Sequence, residues 1–187
     1  MAKVKWDGAA LLAPVPAAIV TCGNDETVNA LTIAWTGIIN SKPPRTYISV
    51  RPQRYSYNII KQTGEFTINL TTKALAAATD YCGVVSGAKT DKIKKLGLKL
   101  APGQEISVPS LEDSPVSLEC RVFERMALGS HDMFMADILC VTVNEELLSG
   151  SGRLSLEKAG LIAYAHGSYF ELGAQLGTFG YTVRKKK

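Results

Sequence analysis

Apolar residues in this chain recur most plainly at every second position. Val116, Leu118, Cys120 and Val122 alternate with Ser117, Glu119 and Arg121; Met133, Met135, Leu139, Val141 and Val143 recur with the same period, broken by Asp137. A period of two is that of β-strands, whose successive side chains face opposite sides of a sheet. The Gly129-Ser130 link between the two runs suits a hairpin turn. It places His131, one of two histidines in the chain, at the start of the second strand.

Shorter runs continue the pattern. Residues 17–22 are expected to form a buried strand, followed by a Gly23-Asn24-Asp25 turn. Residues 28–35 form a second strand with Leu31, Ile33 and Trp35 on one face, and residues 47–51 a third that stops at Pro52. Phe66, Ile68 and Leu70 alternate along a fourth, Glu65–Leu70. Asn40-Ser41-Lys42-Pro43-Pro44 is expected to be irregular, because the proline pair lacks N–H donors and pushes Lys42 towards extended geometry. Helical stretches are few. Tyr55–Thr63 is closed by Gly64, a good C-terminal stop. Residues 73–82 are Ala-rich, with Thr71 or Thr72 as cap and Gly83 as end. Residues 91–96 form a shorter helix ending at Gly97. Residues 102–115 read as a loop, Gly150-Ser151-Gly152 as a flexible connector, and residues 164–181 as Gly- and aromatic-rich without clear periodicity. Many strands with few, short helices predict a mainly β fold, a β-barrel with peripheral helices.

Composition narrows the picture. At 187 residues and 46% hydrophobic, the chain supports one core, so residues 1–187 are expected to be a single domain. The net charge of +4 is mild, and Lys185-Lys186-Lys187 read as a solvated tail. Basic residues with interleaved aromatics do not recur, so no nucleic-acid partner is expected. Cys22, Cys82, Cys120 and Cys140 form no CxxC, which argues against a zinc ribbon, a dithiol motif or any metal site. They are expected to be buried free thiols. Lys3 and Lys5 before the apolar residues 9–13 superficially resemble a signal peptide, but Asp7, Pro14 and Pro16 interrupt the run. No stretch reaches the roughly 18–20 apolar residues that span a bilayer. A cytoplasmic protein without membrane contact is expected. Fingerprints of Rossmann domains, P-loops, zinc peptidases and serine hydrolases are missing.

Four constellations could carry chemistry. In the first, Asn29 to Gly37, a strand ends in Thr32, Ile33, Ala34 and Trp35; its backbone could lie against a flat ring, or it could be a core strand with a buried Trp. The second, Ser49-Val50-Arg51-Pro52-Gln53-Arg54-Tyr55-Ser56, runs from a strand into a helix N-terminus with two arginines. Free N–H groups, the helix dipole and guanidinium forks favour an anion there, although solvated arginines on an exposed turn would look the same. In the third, Ser86-Gly87-Ala88-Lys89-Thr90-Asp91-Lys92 offers a second phosphate contact or simply a helix cap. The fourth is His131, flanked by Ser130 and Asp132, able to donate near neutral pH; His166 is the other histidine candidate.

Taken together, these residues resemble the flavin reductase-like family of FMN-binding split barrels, especially its flavoredoxin and ferric reductase branch. The likeness runs through residues 29–35, Ser41-Lys42-Pro43-Pro44, residues 47–51, Arg54-Tyr55-Ser56, Ser86-Gly87, Gly129-Ser130-His131-Asp132-Met133-Phe134 and the late Leu172-Gly173 and Leu176-Gly177-Thr178-Phe179-Gly180. The resemblance implies a homodimer with one noncovalent FMN per subunit near the interface. It implies that Thr32, Ile33, Ala34 and Trp35 border the flavin ring, and that Asn29, Ser49, Val50 and Gly87 also belong to the cofactor-binding set. Arg51, Arg54, Ser56, Ser86 and Lys89 would serve the ribityl-phosphate end. Tyr169 and Gly173 would close the pocket, and His131 would face the nicotinamide of NAD(P)H as the catalytic residue. Reductases serving two-component monooxygenases carry Gly-Asp-His at this hairpin; Ser130 here fits the flavoredoxin side. The implied activity is an FMN-dependent oxidoreductase delivering electrons to flavin, a ferric chelate or a protein redox partner. The alternatives are a non-enzymatic electron carrier and a non-catalytic flavin- or haem-binding barrel.

Overall fold

Alternation along the chain becomes antiparallel pairing nearly throughout. The computed structural model describes residues 1–24 and 27–183. Asp25 of the expected turn and the lysine run 185–187 lie outside the described residues. The first half contains β1 (Val15–Pro16), β2 (Ala18–Gly23), β3 (Val28–Ile33), β4 (Thr36–Ser41), β5 (Pro44–Val50), α1 (Tyr55–Thr63) and β6 (Glu65–Leu70). Next come α2 (Ala76–Val84), α3 (Lys92–Leu96), β7 (Leu100–Ala101), β8 (Ser110–Leu111), β9 (Val116–Ala127), β10 (Asp132–Val143), β11 (Ile162–Ala165) and β12 (Ser168–Glu171), with two 3-10 turns between β10 and β11.

Seven strands form one sheet in the order β3-β2-β6-β9-β10-β5-β4. Its two ends belong to strands that are consecutive in sequence, so residues 34 and 35 bridge the open sides. There the Ser49 N–H donates to the Trp35 carbonyl at 2.9 Å, and β3 comes beside β5. The sheet is thereby rolled into a barrel, the expected mainly β architecture. Its interior holds Val20, Leu31, Ile48, Ile60, Phe66 and Phe134. Every residue of β2 is buried, because its other face is covered as well. Ile19, Ala30 and Cys82 pack there with Ile93 and Leu96 of α3. One face covered by the barrel and one by helices accounts for the continuous apolar run in β2.

Helix α1 starts and stops where expected, and Gly64 closes it in the left-handed conformation at φ +70°. Helix α2 does not follow the expectation. It begins at Ala76 without a side-chain cap. The Thr71 hydroxyl instead donates to the Ala17 carbonyl at 2.6 Å, tying β6 to β2 at the barrel wall. Gly83 lies inside the helix, where a Cβ would sit 3.3 Å from the Thr32 side chain; the glycine permits close approach of α2 to β3 and does not end the helix. Asn40 to Pro44 are not irregular either. Ser41 pairs with Pro44 across a tight turn at Lys42-Pro43, since the prolines occupy the turn and strand entry and spare the ladder's donors. Residues 162–171 form the β11–β12 hairpin, and β8 lies within the stretch expected as loop. The thiols of Cys22, Cys82 and Cys120 are buried and that of Cys140 is half-buried, all free.

The long hairpin of β9 and β10 forms as expected, but its buried face has the other parity. Asp132, Phe134 and Ala136 point inward, while Met133 and Met135 do not. Register shifts between Met135 and Ala136 and between Ile138 and Cys140 explain why the alternation broke near Asp137. Asp137 itself pairs with Arg45 at 2.7 Å. The apolar series Leu139, Val141, Phe123, Met126 and Leu128 is consequently left open to solvent. Among the described residues, no helix is long and apolar enough to cross a membrane.

Candidate functional site

Closure of the barrel at residues 34–35 opens a cavity of about 410 Å³ beside the junction, within the size range of small-molecule sites. The chain turns from β3 into β4 there, so Trp35 leaves the sheet face expected for it and stands 44% exposed. Its ring meets the imidazole of His131 with centroids 4.5 Å apart and planes tilted by 37°. β3 pairs only with β2, so alternate backbone N–H and C=O groups along it face away from that partner, towards α2 and the cavity. A flat ring with heteroatoms at its edge could be read by such a strand edge.

His131 arrives from the opposite wall. The Leu128 N–H donates to the His131 carbonyl at 3.0 Å, closing a turn around Gly129 and Ser130. Gly129 has φ +100°, a conformation open to glycine in the first central position of a hairpin turn. Ser130 Oγ and His131 Nδ1 lie 2.9 Å apart. Burial, then Arg51 and Arg54, push the His131 imidazolium below the ordinary histidine range. At neutral pH the ring is therefore uncharged, with one nitrogen donating and one accepting.

Thr32, Ile33, Ala34, Trp35, Ser49, Val50, Arg51, Arg54, His131 and Tyr169 all border this cavity. Asn29, Ser56, Ser86 and Gly87 line a narrower recess of about 130 Å³, which shares Leu31 and Arg54 with the main cavity. Asn29 Nδ2 donates to Ser56 Oγ at 2.5 Å, so both side chains are committed to each other within the wall. Lys89 and Gly173 are exposed and border neither space; the Lys89 N–H closes a turn on the Ser86 carbonyl at 3.1 Å.

The lysine that does reach the recess is Lys92, 3% exposed, with Nζ donating to the Cys82 carbonyl at 3.3 Å. Arg54 Nη1 likewise donates to a carbonyl of α2, that of Gly83, at 2.8 Å. Among the described residues none of Arg51, Arg54 and Lys92 pairs with a carboxylate. Burial, above all, pulls the Lys92 ammonium below its usual range, and Arg54 adds to this. A buried ammonium without a counter-charge is costly, and a phosphate entering the recess would supply one. The motif at residues 86–92 was visible in the sequence, but which of its lysines turns inward depends on the register of α3. Its N-cap settles that register: the Asp91 carboxylate accepts from the Lys94 N–H at 3.0 Å.

Asp80, Val84, Tyr164 and Gly167 also line the cavity and were not singled out in the sequence. They come from α2 and from the β11–β12 hairpin, whose placement no local pattern marks. The Tyr169 hydroxyl donates to Asp80 at 3.4 Å, and the Tyr164 and Tyr169 rings lie 5.4 Å apart. A third space of about 390 Å³ shares Trp35, Tyr164 and Gly167 with the main cavity and is walled by residues 10–13, Val15 and His166.

A family model described as flavin reductase like domain matches residues 11–173. In structure, the chain is similar to the flavoredoxin of Desulfovibrio vulgaris (Miyazaki F), with a TM-score of 0.90, 27% identity and coverage of 98% of this chain and 100% of the other. A protein of Archaeoglobus fulgidus without an assigned role is 32% identical over 125 residues, 67% of this chain and 71% of its own length. The FMN reductase (NADH) RutF of Agrobacterium fabrum is 24% identical over 135 residues, covering 71% of this chain and 75% of that protein.

The packing of the recess yields a test. A Cβ on Gly87 would fall 2.2 Å from Asn29 Oδ1 and 2.7 Å from the Tyr55 ring. Gly87→Ala is expected to displace Asn29 from Ser56 and to cost about 1–3 kcal/mol by overpacking. Urea unfolding checks the stability change; an unchanged midpoint would show that the recess is loosely packed.

Proposed function

The chain belongs to the flavin reductase like domain family, and from that premise we propose that it is an oxidoreductase that binds FMN in the cavity beside Trp35. Electrons would come from NAD(P)H or another reductant and leave to flavin, a ferric chelate or a protein acceptor. One observation carries this reading: an unpaired strand edge and two rings in contact at one end of the cavity join, through Arg54, a recess whose cations have no carboxylate partner among the described residues.

The donor set fits FMN. The residue 32–35 edge of β3 offers backbone donors and acceptors to a heteroaromatic rim, and Trp35 offers an apolar surface. Arg54, Arg51 and Lys92, with the hydroxyl of Ser86, would meet the phosphate. Lys92 thus takes the part that the sequence motif suggested for Lys89. When bound, FMN supplies the hydride and single-electron chemistry, and the protein supplies position and electrostatics. His131, uncharged at neutral pH, can accept from or donate to a nicotinamide carboxamide without placing a third positive charge beside Arg51 and Arg54. Ser130 biases its tautomer through Nδ1. A protonated ring would add that charge, so reduction should be fastest with His131 neutral. The name of the Agrobacterium relative, FMN reductase (NADH), supports nicotinamide as donor. The likeness to the Desulfovibrio flavoredoxin favours a second reading, an electron carrier reduced by another protein.

A homodimer is part of the same proposal. Leu139, Val141, Met126 and Leu128 on the hairpin, and Leu176 and Phe179 in the last segment, are all exposed. We read these exposed apolar side chains as the contact between two copies of the chain.

Three outcomes are expected. The purified protein soaked in FMN shows bound-flavin absorbance, and Arg54→Ala and Lys92→Met each weaken FMN by about 1.5–3 kcal/mol in a fluorescence titration; no flavin absorbance in the wild type sinks the proposal. Stopped-flow bleaching by NADH or NADPH stays level as pH falls through the ordinary histidine range and declines only below it, and His131→Gln removes that decline. Bleaching by a reduced protein partner alone selects the carrier. Sedimentation velocity gives twice the chain mass, and Phe179→Asp lowers it; a monomeric wild type rejects the dimer.

A further inference from the structure

Two walls of the cavity come from distant parts of the chain. Arg54 stands at the N-terminus of α1, and His131 stands on the hairpin between β9 and β10. These walls are fastened together by three side chains, none of which lines the cavity. Tyr57, in the first turn of α1, donates its hydroxyl to Asp132 Oδ2 at 2.5 Å. Arg125 of β9 donates from Nη1 to the Tyr57 oxygen at 3.0 Å and also to the same Asp132 oxygen. Asp132 is 5% exposed and Tyr57 7%. The Tyr57 ring packs edge-on against Phe134, two residues further along β10, with centroids 5.4 Å apart.

Asp132 directly follows His131, and neighbouring residues entering a strand face opposite ways. A carboxylate held down among Tyr57 and Arg125 therefore turns the imidazole up towards Trp35 and the cavity. The turn on the other side of His131 offers less restraint, since residues 128–130 are exposed. Buried ion clusters contribute little to stability compared with apolar side chains of the same volume; what they can add is a single geometry. Here that geometry is the span between the helix wall and the hairpin wall.

We propose that Asp132, gripped by Tyr57 and Arg125, is the positioning residue that holds the His131 ring against Trp35 and fixes the width of the cavity. Its catalytic consequence rests on the oxidoreductase reading above; the positioning itself does not. The Tyr57 hydroxyl first, and then Arg125, hold the Asp132 carboxyl below the usual carboxylate range, while donating that bond to the carboxylate pushes the Tyr57 phenol up. A depressed carboxyl contributes its stability above its unfolded pKa and loses it only as pH falls through the folded value. The cluster accordingly stays assembled across the window in which His131 titrates.

That separation makes a direct test, free of flavin. The chain has two tryptophans, so in a Trp6→Phe background the emission of Trp35 is read alone. An imidazolium quenches an indole it touches, so emission should fall in a single step as pH drops, with its midpoint below the ordinary histidine range. His131→Gln should remove the step. Tyr57→Phe, which deletes one hydroxyl, and Asp132→Asn should keep native circular dichroism but shrink the step by about half or more. In the FMN-loaded protein they should slow nicotinamide bleaching about tenfold while FMN affinity changes by less than about threefold. No step in the wild-type background, or a wild-type step in Tyr57→Phe, overturns the proposal. If Asp132→Asn does not fold, Tyr57→Phe decides alone. Failure to bind FMN would defeat the functional reading but leave the fluorescence result standing.

Discussion

The structure depends on one closure. A seven-stranded antiparallel sheet has two open edges, and here those edges belong to β3 and β4, joined by two residues. The hydrogen bond from the Ser49 N–H to the Trp35 carbonyl draws the junction onto β5. The bond holds only the junction beside β5; the rest of β3 keeps an unpaired edge, which α2 packs against. With the junction held, the barrel encloses its apolar interior, and the outer side of β3 becomes one wall of a cavity. Trp35, Arg51 and His131 meet because β5 is shared: β4 pairs with it on one side and β10 on the other.

Charge is distributed unevenly around that closure. Asp132, Arg125 and Tyr57 satisfy one another away from the cavity lining, and the buried Glu119 accepts the backbone N–H groups of Gln104 and Glu105. Among the described residues no buried side-chain polar atom lacks a hydrogen bond. Lys92, like Glu119, is hydrogen-bonded but has no opposite charge beside it among the described residues: its ammonium donates to the neutral carbonyl of Cys82. What sets Lys92 apart is its place at the border of the recess, where an entering anion would supply the missing charge.

Much of this was legible in the sequence because it depends on local periodicity and on glycine. The alternation at residues 116–122, the helix stop at Gly64 and the turn at Gly129-Ser130 each specify backbone geometry within a few residues. Ten of the residues singled out for the site border one cavity; nine of them lie at strand ends or the helix entry that local pattern marked, and Tyr169 was reached only through the family resemblance. What could not be read depends on packing over distance. Alternation does not say which parity faces inward once a register shift intervenes, so the buried face of β10 belongs to Asp132, Phe134 and Ala136 and not to the methionines. The role of Thr71 changed because a barrel wall competed successfully for a hydroxyl suited to a helix cap. Lys92 and Lys89 differ in burial only after α3 has docked.

The third space beside the site sharpens what the cavity can accept. It is walled by Ala10, Leu11, Leu12, Ala13, Val15 and His166 with the rings of Trp35 and Tyr164, and among the described residues no Asp, Glu, Lys or Arg borders it. The recess at the other end is bordered by Arg54 and Lys92. A ligand with a charged tail and a flat head therefore has one favourable orientation, because desolvating its anion among aliphatic side chains would cost several kcal/mol. The head then lies at Trp35, the residue common to the main cavity and the apolar space. A second, uncharged ring entering through that space would reach the head without crossing the cationic end. Binding polarity in this fold follows from which walls carry charge, and His131 stands beside Trp35, where the two ligands would meet.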